Sequence, residues 1–393
     1  MKHNWEHKRL KDVCYPKSSI GRASSIYSKD DIIEYIDISS INKDINEIAF
    51  STPYCFGDAP SRAQQCVKYF DVVVSLVRPN LKNIAIVKDD RDNLVASSGF
   101  CVLRGKTILP KLIFYIVNSQ NFTDALIAKC AGAAYPAVKD DDVKNSIIPV
   151  PPMAVQEQIV AELDKINEVI ADCRELLRNL DALAQSLFYD TFGDPVTNPK
   201  GWEVSPLKDA VIEMFLGPFG SALKTECHVP KEEGYAMVYE QKHAIKKTLN
   251  LENHYIGKAK FDSLKRFEIL PNDFIMSCRG TIGQLYQVPD DAPRGIIHPS
   301  VMKIRLNPSK YNASFFSFLL PVIIKEQQTK GNCVQMAITA KELGTKKLPA
   351  PPMELQQKFA AQIERIEMQK KAVEATIAEL QTLLDSRMDY WFN

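Results

Sequence analysis

The sequence predicts an α+β protein. Two mixed α/β domains are separated by two long helices that pack as an antiparallel coiled coil, and the chain is an internal repeat with a pseudo-two-fold axis. Three observations predict this. Pro149-Val150-Pro151-Pro152-Met153 returns as Pro349-Ala350-Pro351-Pro352-Met353, and the same 200-residue offset, without gaps, aligns Gln156 with Gln356, Ile166 with Ile366, Leu180 with Leu380, Ser186 with Ser386 and Phe192 with Phe392. Trp5-Glu6-x-x-x-Leu10-Lys11-Asp12 returns as Trp202-Glu203-x-x-x-Leu207-Lys208-Asp209 at an offset of 197. Behind each double proline, apolar residues recur in alternate steps of four and three. A period this long decides the architecture before any single element is read.

The helices come first because their pattern is the strongest. Ile159, Leu163, Ile166, Ile170, Cys173, Leu177, Leu180, Ala184 and Leu187 form the apolar seam of a coiled coil. The seam recurs as Phe359, Ile363, Ile366, Lys370, Val373, Ile377, Leu380, Leu384 and Arg387, with Lys370 and Arg387 as polar interruptions. Proline fits the first turn of a helix and holds its predecessor extended, so each double proline marks a start. At ~1.5 Å per residue, each seam is roughly 42 Å long. A helix of that length with so narrow a seam would leave its far end unburied alone, and the two are therefore expected to cover one another.

The organisation is residues 1–148 as a first variable domain and 149–194 as the first helix. Residues 195–348 form a second variable domain and 349–393 the second helix. Within the domains, short β-type runs (Val72-Val73-Val74, Ile84 to Val87, Phe274-Ile275-Met276, Leu285 to Val288, Val301 to Ile304) are punctuated by turns such as Pro271-Asn272-Asp273 and Pro289-Asp290-Asp291. Each domain has one late helix, Lys111 to Val117 and Phe315 to Ile324. Of the domain interiors, only fragments correspond, chiefly Asp71-Val72-Val73-Val74-Ser75 with Asp273-Phe274-Ile275-Met276-Ser277.

At 393 residues, 45% hydrophobic and 25% charged, the chain can bury two or three cores, which excludes disorder. Its net charge of +1 conceals segment charges of +3, −6, +6 and −2 in chain order. Basic domains on an acidic frame fit nucleic-acid contact through the domains and protein contact through the helices. Nine scattered cysteines without a C-x-x-C pair point to neither zinc nor disulfides, and the longest apolar run is too short for a bilayer, so a cytoplasmic protein without membrane attachment is expected.

Catalytic patterns are missing. The double prolines lack the flanking polar and aromatic residues of an adenine methyltransferase motif. Gly99-x5-Gly105-Lys106-Thr107 has one residue too many for a phosphate loop. The six histidines have no metal-ligand spacing, and Asp140-Asp141-Asp142 and Asp290-Asp291 read as solvated turns. No catalytic and no metal residue is assigned.

Several of these pieces resemble one family. The double prolines followed by Gln156 and Gln356, the exit Phe188-Tyr189-Asp190-Thr191-Phe192-Gly193-Asp194-Pro195, Asn198-Pro199-Lys200-Gly201-Trp202-Glu203, Pro218-Phe219-Gly220-Ser221-Ala222-Leu223-Lys224 and the stretch Asp273 to Gly283 are similar to the specificity subunits of type I restriction-modification systems. The resemblance implies a non-catalytic DNA-binding subunit with two target-recognition domains, each reading half of a bipartite, asymmetric site, and a helix pair that sets the gap. It also implies partners: double-stranded DNA, two methyltransferase subunits using S-adenosylmethionine, and ATP- and Mg-dependent endonuclease/translocase subunits, in the service of phage defence.

Base readout needs Arg, Lys, Asn or Gln. The candidates are Arg22, Arg62 and Arg78 in the first domain and Lys224, Gln241, Lys242 and Arg279 in the second. Glu162, Asp172, Glu175, Glu364, Glu367 and Glu374 are the candidate outer faces for methyltransferase docking. Two other readings share much of the pattern. One is the same reader serving another phage-defence DNA-modification complex. The other is a coiled-coil scaffold with two protein-binding domains, which would lack salt-dependent DNA affinity.

Overall fold

A computed structural model of the chain describes residues 5–43, 45–130, 136–330 and 337–392. Met1 to Asn4, which include His3, and Cys333 lie outside these residues. The chain divides into two units, residues 1–175 with 374–393 and residues 176–373. Long helices run over Met153–Phe192 and Met353–Phe392, and each contributes one part to each unit.

In the first unit a five-stranded sheet has the order Gly21–Arg22, Ala63–Cys66, Leu94–Ser97, Ile32–Ile36, Thr52–Cys55. A three-stranded sheet follows the order Phe100–Leu103, Val72–Ser75, Ile84–Ile86. Strand geometry sends alternate side chains to opposite faces. Val72 and Val74 therefore enter one core with the late helix Pro110–Asn118 and the long helices, while Val73 enters a second core with Ile36, Leu94 and Ala96 of the larger sheet. Both faces of the strand are buried, which is why its sequence is an unbroken apolar run.

The second unit repeats the plan. Phe274 and Met276 join the core of the late helix Ala313–Lys330 and the long helices, whereas Ile275 joins Met237, Tyr239 and Ile297. The larger sheet has the order His228–Val229, Tyr255–Ile256, Ala236–Tyr239, Gly295–Ile297, Glu268–Ile269. In each unit this sheet contains one parallel pair, Ile32–Ile36 with Leu94–Ser97 and Ala236–Tyr239 with Gly295–Ile297. Glu6–Arg9 pairs antiparallel with Ile147–Val150, and Val204–Pro206 pairs in the same way with Lys347–Pro349.

Two side-chain devices present in both units explain repeated motifs. Buried Asp71 accepts two hydrogen bonds from Arg104 at 2.7 and 2.6 Å, and buried Asp273 accepts two from Arg305 at 2.7 and 2.8 Å. Such bidentate pairs are the strong ones, and they fix the turn before each central strand, where Phe70 and Asn272 are left-handed. Gln156 Oε1 accepts the Leu109 amide at 3.0 Å while its Nε2 donates to the Pro151 carbonyl at 2.9 Å. Gln356 does the same to the Asn312 amide (2.8 Å) and the Pro351 carbonyl (2.8 Å). Each glutamine thus locks the start of a long helix to the start of the late helix, satisfying an otherwise orphaned helix-end amide. Trp202 Nε1 donates to the Phe192 carbonyl at 2.8 Å, beside Gly193, whose left-handed φ of 77° ends the helix.

The halves of the long helices run antiparallel within each unit. Glu162 accepts from Arg387 and, at 3.1 Å, from Trp391 in the first, while Lys370 pairs with Asp181 at 2.8 Å in the second. The polar interruptions Lys370 and Arg387 are thus answered by carboxylates of the other helix. Glu162 was placed on an outer face by its sequence position; it faces the second helix instead. Ile159, Leu163, Ile170, Phe359, Ile363, Ile366 and Leu384 are buried, and Leu177, Val373, Ile377 and Leu380 are half-buried or nearly so. At the helix ends Phe188 and Met388 are more deeply buried than Leu187 and Arg387. A straight helix of 3.6 residues per turn drifts ~20° per heptad from a 3.5 repeat, which moves the buried stripe one residue on after four heptads.

Asp140-Asp141-Asp142 also differs from its sequence reading. It forms the first turn of the helix Asp140–Lys144, where acidic groups suit the amide end, and Asp140 pairs with Lys144 at 2.8 Å. Asp290 and Asp291 do lie in a turn.

Candidate nucleic-acid interface

In the first unit, Arg22 and Arg62 lie on or beside neighbouring strands. Arg22 lies on the edge strand opposite Gln65, and Arg62 immediately precedes the neighbouring strand Ala63–Cys66. Both side chains are exposed. Arg78 stands apart, on the loop after the central strand, with a left-handed φ of 50° and its amide donating to the Pro136 carbonyl at 2.8 Å. Arg279 occupies the equivalent loop of the second unit, one residue before left-handed Gly280. Val77 and Arg279 make matching bridges, to Ala137 and Ala337.

In the second unit, Lys242 and Arg279 border one polar cluster. Lys224 is exposed, and its carbonyl accepts the Cys227 amide at 2.9 Å, one turn before His228. Gln241 and Lys242 open the helix Gln241–Lys246. Lys242 is held by Glu240 at 2.7 Å and donates to the Glu252 carbonyl at 2.5 Å, so its charge is already partly engaged. Glu240 also meets His254 Nδ1 at 3.0 Å. His254 stacks on His228, with ring centres 4.5 Å apart and planes 11° from parallel. Burial opposes ionisation of Glu240, yet the hydrogen bonds from Lys242 and His254 prevail and hold it below the usual glutamate value.

His298 adds a third imidazole, hydrogen bonded to Ser300 Oγ at 2.8 Å and in electrostatic range of His228, His254 and Arg279. Burial pushes His298 below the ordinary histidine value, with the surrounding positive groups acting the same way and Glu240 acting against them. His228 is lowered too, first by burial and then by His254. Its Nε2 is buried without a hydrogen-bond partner. Phe219, 89% exposed, projects from the loop that leads to Lys224.

Sequence spacing does not mark these histidines as a group, because their proximity depends on three separate strands. Among the described residues no group of three or more His, Cys, Asp or Glu could hold a metal ion, and all eight cysteines are free thiols. No helix among them is long and apolar enough to cross a membrane.

The two clusters sit at opposite edges of equivalent sheets. Taking the parallel pair as reference, the first sheet is extended beyond Ala63–Cys66, on the Leu94–Ser97 side, and the second beyond Tyr255–Ile256, on the Ala236–Tyr239 side. A common core thus carries two different polar surfaces.

Comparison with known proteins agrees with this duplicated plan. A curated relative, the type I restriction enzyme HindI specificity subunit of Haemophilus influenzae, is 26% identical over 141 residues, covering 35% of this chain and 31% of that protein. A structure solved in work on complex assembly and conformational transition of the type I R-M system is 26% identical, with a TM-score of 0.60 over 98% of this chain and 96% of that one. The type I restriction-modification S subunit of M. genitalium shares the fold at 14% identity, with a TM-score of 0.52 over 99% and 96% of the two chains. The pattern of the type I restriction modification DNA specificity domain matches twice, over residues 2–178 and 199–382, and by that double match the chain belongs to this family.

Proposed function

We propose that this chain is the non-catalytic DNA sequence-recognition subunit of a type I restriction-modification complex. Each domain reads one half of a bipartite, asymmetric site, and the helix pair sets the gap. The observation that carries the reading is the duplication: one core built twice, with different surface residues, on two helices of 40 residues each. Two equal readers would call for a symmetric site; different edges and different polar residues call for two unlike half-sites.

A seam of roughly 42 Å spans slightly more than one turn of B-DNA, ~34–36 Å, which suits readers placed in successive major grooves. The chemistry belongs to partners: two methyltransferase subunits with S-adenosylmethionine, and endonuclease/translocase subunits with ATP and Mg. Exposed Asp172, Glu175, Glu364, Glu367 and Glu374 remain the candidate faces for methyltransferase docking.

Co-expression with the neighbouring methyltransferase, followed by mapping of adenine methylation across the host genome, tests this. A split motif with a fixed gap that vanishes when this chain is omitted is expected. Methylation that persists without the chain would overturn the reading in favour of a scaffold.

A further inference from the structure

We propose that His228, His254 and His298, with Arg279, form a proton-linked contact for a backbone phosphate of the DNA half-site read by the second domain. The inference rests on the reading of this domain as a DNA reader and adds its ligand group and its pH response. The geometry supplies the argument. His254, with a side chain 46% exposed, offers the outer ring of a stack whose inner ring is His228. His298 lies in electrostatic range of both rings and of exposed Arg279, and so links the stack to that arginine.

Among the groups acting on His228 and His298 the carboxylate is Glu240, and it is already engaged by Lys242 at 2.7 Å and His254 at 3.0 Å. With Lys242 offset by Glu240, an additional proton on the histidine cluster therefore adds to the positive charge of Arg279. A phosphate oxygen brings the missing negative charge to the exposed ring. His228 and His298 are held below the ordinary histidine value by burial, so near neutral pH the free domain is poised to gain protons as the phosphate arrives. The complex then binds more protons than the free partners, and by linkage its affinity rises as pH falls.

The first domain offers an internal control. Its described histidine, His7, lies on the strand paired to Ile147–Val150, with Nδ1 at 3.1 Å from the Trp5 carbonyl and far in sequence from Arg22, Arg62 and Arg78. The proton-linked response should thus belong to one half-site.

The test uses the complex of this chain with its methyltransferase subunits and a duplex carrying the sequence found by methylation mapping, at constant ionic strength. Affinity is expected to rise about three- to tenfold between about pH 7.5 and about pH 6.5, the range that one histidine proton allows. His254→Gln, at an exposed position, should flatten the response with an unchanged melting temperature at about pH 7.5, and His228→Asn should flatten it too. Scrambling one half-site should abolish the response, and scrambling the other should leave it. An unchanged response in His254→Gln, or equal responses from both half-sites, would refute the contact. A duplex left unbound at every pH would refute the DNA-reading function beneath it.

Discussion

Gln356 illustrates how much a single buried side chain does here. It joins the Asn312 amide to the Pro351 carbonyl, so truncation strands two backbone groups at once. Gln356→Ala is expected to cost about 1–3 kcal/mol, read as a lower urea midpoint for the second unit, because a buried polar group without a partner bears its desolvation cost. His243 works differently. It is fully buried, with Nδ1 accepting the Glu240 amide at 2.9 Å and Nε2 facing Asn253 Oδ1 at 2.8 Å. A proton on Nδ1 would confront that amide, and burial, the largest effect, lowers the affinity for it.

The sign follows from linkage. Below about pH 6.5 the unfolded chain takes up the proton and the folded chain resists, so the stability present above that pH is lost as pH falls towards the depressed value. His228 and His298 act in the same direction. Thermal unfolding should therefore show the second unit melting earlier at pH near 5.5 than near 7.5, whereas a pH-independent transition would show that these rings accept charge in place.

At the level of elements, the long helices owe their stability to the ends as much as to the seam. Phe188 is fully buried against Phe315, Phe318 and Phe359, with ring centres 5.8 to 5.9 Å away. Phe188→Ala is expected to cost about 3–5 kcal/mol in chemical denaturation. Leu187→Ala should cost clearly less, since Leu187 is only half-buried. Equal costs would contradict the one-residue drift of the buried stripe. Heptad spacing identified both helices and the internal repeat their antiparallel expectation, but a fixed 3.5 period cannot follow a straight 3.6 helix to its end. Strands buried on both faces were legible at Val72-Val73-Val74 and Phe274-Ile275-Met276, whereas Leu94–Ser97, Phe100–Leu103 and Ala236–Tyr239, equally buried, were not distinguished in the sequence. The edge strands Gly21–Arg22 and His228–Val229 were not, because two residues carry no periodicity and their pairing is decided by partners distant in sequence.

On the scale of the whole chain, the proposed function makes the helix pair the adjustable part. Inserting one heptad into both helices at matching seam positions preserves the apolar register and adds about 10 Å, or about three base pairs of B-DNA. The gap in the methylated motif should widen by that amount with both half-sites unchanged, as read by genome-wide methylation mapping; an unchanged gap would refute the helices as its determinant. The basic domains and acidic helices agree with this division of labour, although the segment charges are modest.

The order of the parts, the two long helices, the repeated Asp and Gln positions and the absence of catalytic motifs were determined by the sequence alone, because periodicity and repetition are properties of the order of residues in the chain. The tertiary structure decided which polar groups meet. His228, His254 and His298 lie on different strands and their loops, and Arg279 follows yet another strand. Only the folding of the sheet, which brings distant segments within hydrogen-bonding and stacking range, makes them a single surface.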